Sequence, residues 1–183
     1  MKQPDSNRPE STIERHLTGG DGALYTEAER QRRDASPWTT VQGVLAPIQF
    51  LVFLLSLGLV LRFLLTGEGD LAATWSVIAK TVVLYVIMIT GSIWERDVFG
   101  QYLFARPFFW EDVVSMGVLA LHTAYLFSVG FGWLDIEAQM ILALAAYATY
   151  VLNAAQFLLK FRQARLQPVG ERSLPQQALG AAS

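Results

Sequence analysis

Four long apolar runs, Thr40 to Leu64, Ala72 to Trp94, Val113 to Gly130 and Ile136 to Leu159, are separated by short polar stretches. Each reaches the roughly 18 residues or more that a helix needs to cross a bilayer core. Hydrocarbon offers the backbone no water, so each run is predicted to close its hydrogen bonds internally as an α-helix. Short connections make consecutive helices antiparallel. The pattern therefore predicts an all-α membrane protein, a four-transmembrane-helix up-down bundle. Pro47 removes a backbone donor inside the first run and is expected to kink it.

Outside the runs the pattern changes. Residues 1–35 form a polar N-terminal tail, 36–162 the transmembrane domain, and 163–183 a second polar tail that is expected to be disordered, as is Asp5 to Gly22. Tyr25 to Arg33 is expected either to form a short amphipathic helix on an anionic membrane surface or to act as a solvated tether.

Composition narrows the function classes. Of 183 residues, 52% are hydrophobic and 16% charged, too apolar for a soluble domain of this size. Cysteine is absent, which excludes disulfides, thiolate haem ligation and iron–sulfur clusters. His122 alone, inside a span, cannot supply both axial ligands of a membrane haem. A net charge of -2 carries no basic footprint, so no nucleic-acid partner is expected. Met1 to Arg33 shows no apolar signal-peptide core.

Positive charge also sets orientation. Lys2, Arg8, Arg15, Arg30, Arg32 and Arg33 precede the first span, Arg96 and Arg106 lie in the middle loop, and Lys160, Arg162, Arg165 and Arg172 follow the last. The positive-inside rule then puts both termini and the middle loop in the cytoplasm. Arg62 and Lys80 are left near the other face. Lys80, roughly 22 Å from Glu95 along its helix, is expected to snorkel outward and has no assigned function.

The polar residues within the spans gather toward the predicted cytoplasmic side. Gln42 and Gln49 share a face of the first helix, and Asn153 and Gln156 a face of the fourth. Glu95 closes the second helix, while Glu111, Asp112 and Ser115 open the third. His122 continues the Glu111 face roughly 16 Å further down, about halfway through the core, where an ionisable group is a functional candidate. A polar pocket opening toward the cytoplasm is the inference. Simpler roles stand beside it. Glu111 and Asp112 suit the positive end of a helix, Glu95 suits a pair with Arg96 or Arg106, and the amides and His122 suit hydrogen bonds between helices. No repeat relates the two halves, which disfavours a proton-linked transporter.

Several blocks are more specific. Gly91-Ser-Ile-Trp-Glu-Arg-Asp-Val-Phe-Gly-Gln-Tyr-Leu-Phe-Ala, Phe108-Phe-Trp-Glu-Asp-Val-Val-Ser-Met and Ala120-Leu-His-Thr-Ala-Tyr resemble the 3-vinyl (formerly 2-vinyl) bacteriochlorophyllide hydratase family. So do Trp38-Thr-Thr-Val-Gln-Gly-Val-Leu-Ala-Pro-Ile-Gln-Phe and Ala145-Ala-Tyr-Ala-Thr-Tyr-Val-Leu-Asn-Ala-Ala-Gln-Phe. The likeness runs from about Leu24 to Leu166.

The resemblance implies a lyase of bacteriochlorophyll a biosynthesis in the inner membrane of a phototrophic bacterium, with no cofactor or metal of its own. Its partners would be a magnesium tetrapyrrole substrate, the lipid bilayer and other enzymes of the pathway. The reaction would add water to the C3-vinyl group to give a 1-hydroxyethyl substituent. A non-catalytic pigment-binding or assembly subunit is the alternative.

The resemblance assigns no catalytic residues, so candidates rest on side-chain chemistry. Glu111 is the first choice for the acid, Glu95 or Asp112 for the base, and Ser115 for holding the water. For substrate binding, His122 is a candidate ligand to the pigment magnesium or a ring carbonyl, and Arg106 and Arg96 are candidates for the propionate. Gln49, Asn153, Gln156 and Trp110 complete the expected pocket, with Phe104, Phe108 and Phe109 as flat apolar contacts.

Overall fold

The computed structural model describes residues 24–166; Asp5 to Gly22 and 167–183 lie outside them, while residues 163–166, the start of the tail expected to be disordered, instead continue the last helix. Helix α1 is Glu27–Ala35, α2 Pro37–Thr66, α3 Asp70–Phe99, α4 Phe109–Phe131 and α5 Ile136–Leu166, with a 3₁₀ turn at Arg106–Phe108 before α4. Four of these helices are long and apolar enough to cross a membrane, and no strand occurs among the described residues. Each of the four is longer than its apolar run, because the end turns continue the helical backbone past the hydrocarbon-compatible segment. α2 remains continuous through Pro47. Gly67 and Gly100 end α2 and α3 in the left-handed conformation, at φ 74° and 84°, which a residue without Cβ adopts most readily.

The bundle is two hairpins. α2 packs along α3 and α4 along α5, and the hairpins meet chiefly through α2 with α5 and through α3 with both α4 and α5. Phe53, Val60, Val77, Leu84, Val118, Tyr125, Met140 and Tyr147 fill the centre. Ala73, Ala143 and Ala146 are buried and let the helix backbones approach closely, the role small residues take where lipid gives no hydrophobic drive to association. Outward positions stay apolar, Leu51, Leu55, Leu65 and Trp75 among them, as a lipid-facing surface requires.

Lys80 corrects a sequence expectation. It does not reach the outer surface but is fully buried, its Nζ 4.0 Å from the centre of the Tyr150 ring and 5.9 Å from that of Tyr147. Ala73, Val77, Lys80 and Leu84 recur at helical spacing on the inner face of α3, so the stem starts inside the bundle. Two tyrosine rings then receive the ammonium in cation–π geometry.

The segment before the bundle is docked rather than free. Thr26 and Glu29 form a capping box that starts α1, and the Ser36 hydroxyl donates to the Asp97 carboxylate at 2.5 Å. Tyr25 stacks on Phe99 at 5.8 Å and leans on Phe108, with the Arg33 guanidinium over its other side at 4.8 Å. Burial pushes the Tyr25 phenol up to about 12, only partly offset by Arg33. The unfolded chain releases that proton near pH 10, so the stability Tyr25 lends to docking is complete below pH 10 and is lost as pH rises toward 12. An absorbance titration of wild type minus Tyr25→Phe should show the missing phenol ionising near 12. A difference centred near 10 would mean that α1 does not hold this ring.

Candidate active site

The cytoplasmic-side end predicted from the charges is where α3 finishes and α4 begins. Glu95 projects inward one turn before the end of α3, and Asp112 inward from the first turn of α4. They are 5% and 3% exposed. The loop between them brings them together. Phe104 sits at φ 60°, unusual for a residue with a side chain, and this turns two successive amides toward the carboxyls. The Phe104 N–H donates to Asp112 Oδ2 at 2.7 Å and the Ala105 N–H to Glu95 Oε2 at 3.2 Å. The Glu95 and Asp112 carboxyls are therefore buried as near neighbours, each held by one loop amide. Two buried carboxyls this close disfavour double ionisation, which favours one proton between the pair.

The surroundings say where that proton rests. Asp112 has the shorter amide contact and lies at the N-terminus of α4, where the aligned peptide dipoles favour a negative charge. Glu95 has the longer contact and lies near the C-terminus of α3, where they disfavour one. The geometry suits Glu95 as the carboxylic acid and Asp112 as the carboxylate.

Glu111 is placed differently. Its neighbour in sequence points about 100° away around the helix, so while Asp112 faces α3, Glu111 faces α5. Lys160 meets it there at 2.6 Å and also donates to the Pro107 carbonyl. The Asn153 amide donates to the Glu111 backbone carbonyl at 2.9 Å and accepts from the Ser115 hydroxyl at 3.2 Å. Glu111 is thus an ion-paired carboxylate, and Ser115 is engaged by Asn153 rather than aimed at the carboxyl pair. Sequence reading missed Lys160 by grouping it with the surface cations. The available signal was its spacing of seven from Asn153, two turns along one face of α5.

A cleft of about 400 Å³ lies between α3 and α4, with Tyr102 and Leu103 of the connecting loop at one end. Tyr85, Met88, Ser92, Tyr102, Met116 and Leu119 line it, together with Ile89, Ile93 and Leu103. Ser92 is one turn before Glu95 and Met116 one turn after Asp112, so the carboxyl pair lies one helical turn beyond the cleft lining rather than in it. At the far end the Tyr85 and Thr123 hydroxyls meet at 2.7 Å. Such a volume lies within the range of small-molecule sites.

Like Glu95, Asp112, Glu111 and Ser115, the remaining expected pocket residues do not line this cleft. His122 is fully buried in the bundle core, its Nδ1–H donating to the Val118 carbonyl at 2.8 Å and its ring 5.9 Å from that of Tyr147. Gln49 is 3% exposed in the core, separated from Gln42, which bonds Thr90 across to α3 at 2.7 Å. Gln156 is half-buried on α5. Arg96 is exposed, lying over the Tyr102 ring at 4.7 Å and donating to its hydroxyl. Arg106 is exposed at the 3₁₀ turn. Trp110 is 69% exposed beside Phe109, an interface-anchoring position, while Phe108 is buried among Tyr25, Trp94 and Phe157.

No solved structure matches the chain. The family model described as 2-vinyl bacteriochlorophyllide hydratase matches residues 25–163. A protein of that name from Rhodobacter capsulatus is 66% identical over 149 residues, covering 81% of this chain and 86% of the relative. Another of the same name, from Cereibacter sphaeroides, is 66% identical over 143 residues, covering 78% and 89%. With the matched region spanning the carboxyl pair, its amide cradle and the cleft, the chain belongs to the 2-vinyl bacteriochlorophyllide hydratase family.

Proposed function

We propose that this chain hydrates the vinyl group of a bacteriochlorophyllide-type tetrapyrrole at the membrane, with Glu95 and Asp112 as the acid–base pair. The buried, amide-held carboxyl pair one helical turn from an apolar cleft carries the reading. The macrocycle lies in the cleft between α3 and α4, its ring A directed at the pair. Glu95 protonates the terminal vinyl carbon, and the cation left on the adjacent carbon is delocalised by the conjugated ring. Water attacks that carbon and Asp112 takes its proton. The carbon–carbon double bond becomes a CH(OH)–CH₃ group. The pair still holds one proton, now on Asp112, and its transfer back to Glu95 restores the starting state.

Every atom of the product comes from substrate and water, so acid, base and a shaped cavity are sufficient and no cofactor is invoked. Tyr85, Tyr102, Met88 and Met116 offer flat or adaptable contacts to the macrocycle. Arg96, at the Tyr102 end, is suited to pair with the propionate on exchanging its phenol partner for a carboxylate. Arg106 adds positive charge nearby. Glu111 is assigned to holding the loop rather than to proton donation, because an ammonium already occupies its carboxylate. His122 is assigned to packing. The excess of Lys and Arg at both ends and in the middle loop supports cytoplasmic termini and a site on the cytoplasmic side of the inner membrane. Proximity to other enzymes of bacteriochlorophyll biosynthesis follows from a substrate that stays in the membrane.

Purified protein in lipid nanodiscs, given vinyl chlorophyllide in ¹⁸O-labelled water without added cofactor, should yield a product carrying one ¹⁸O. A pigment-binding or assembly subunit would return its pigment unchanged.

A further inference from the structure

Lys160 reaches the site from α5, a helix that otherwise contributes nothing to the carboxyl pair's own hydrogen bonds. Its Nζ makes three contacts, with the Glu111 carboxylate at 2.6 Å, the Pro107 carbonyl, and the face of the Phe108 ring at 5.3 Å. The Lys160 and Glu111 side chains are 23% and 10% exposed. These contacts fall on both sides of the start of α4. Pro107 belongs to the 3₁₀ turn whose Phe108 N–H donates to the Ala105 carbonyl at 2.8 Å, and Ala105 and Phe104 are the residues whose amides hold Glu95 and Asp112. Glu111 is the residue immediately before Asp112.

We infer that Lys160 is a positioning residue for the hydration: it fixes the loop that presents the two amides and balances a third carboxylate that would otherwise stand bare beside the pair. Two effects follow from its loss. The amide cradle loosens, and Glu111 becomes an uncompensated anion next to Asp112. Both act on proton transfer rather than on the cleft, which Lys160 does not line. The inference rests on the assignment of Glu95 and Asp112 as the reacting pair.

The test is steady-state kinetics on full-length Lys160→Met, Lys160→Arg and the double variant Lys160→Met with Glu111→Gln, in nanodiscs with vinyl chlorophyllide. A misplacement of reacting groups of this kind lowers kcat on the order of tenfold to a hundredfold. Lys160→Met should show that loss with KM little changed, Lys160→Arg should recover most of it, and the double variant should exceed Lys160→Met because no bare charge remains. Wild-type kcat in Lys160→Met overturns the inference. So does a matched change of kcat and KM without rescue by arginine, the mark of a merely structural role. If Lys160→Met fails to fold, the double variant and Lys160→Arg carry the same comparison. Turnover retained in Glu95→Gln would instead remove the pair itself, a failure separable from that of Lys160.

Discussion

Glu95→Gln is expected to lower kcat by roughly 10³-fold while leaving pigment affinity nearly intact, within the range of about 10² to 10⁴ that positioned acid–base groups contribute. The substitution keeps the volume and the acceptor that the Ala105 amide needs, but the amide nitrogen cannot release a proton to carbon. Asp112→Asn should have a similar effect for the opposite reason, because it removes the acceptor for the proton of water. Since the two groups act as a unit, the double variant should be little worse than either single one. Affinity is spared because the cleft is lined by other side chains. A loss of affinity equal to the loss of turnover would assign the pair to substrate binding.

The second large effect is steric. Ser92 lines the cleft one turn from Glu95, and a tryptophan there fills the space next to the reacting carbons. Ser92→Trp should weaken vinyl pigment binding by about 30- to 100-fold, roughly 2 to 3 kcal/mol at 1.4 kcal/mol per tenfold. Ser92→Ala should stay near wild type. The position faces α4 across a lightly packed contact, so the helices can retain their places. Unchanged affinity in Ser92→Trp would move the pigment to another surface of the bundle.

How much of this was legible in sequence depended on which physical signal each feature carried. The four spans were readable because a long apolar run has one solution in lipid. Their inner faces were less so. Hydropathy treats Lys80 as a charge to be expelled, yet its helical register with Ala73, Val77 and Leu84 places its stem inside, and the tyrosines that receive it lie about 70 residues away on another helix. Glu111 and Asp112 looked like a pair because they are adjacent, although adjacent helical residues diverge. Applying that rule separates them, leaving Asp112 for α3 and Glu111 for α5. The amide cradle could not be read, because it depends on a left-handed backbone at a phenylalanine. The cleft could not be read either, since Tyr85, Ser92 and Met116 are ordinary residues of apolar helices until α3 and α4 stand apart. Tyr25 shows the same limit. Its neighbours Phe99 and Phe108 are distant in sequence, so only a membrane-surface helix or a solvated tether was expected and docking on the bundle was not.

The central claim is that Glu95 and Asp112 hold one proton between them, ready for the vinyl carbon. Difference infrared spectroscopy of the protein at neutral pH, wild type against Glu95→Gln, addresses it most directly. A protonated-carboxylic-acid carbonyl band is expected in the wild type, shifting in D₂O and vanishing in Glu95→Gln. A spectrum lacking that band, or one in which it persists unchanged in Glu95→Gln, would contradict the account.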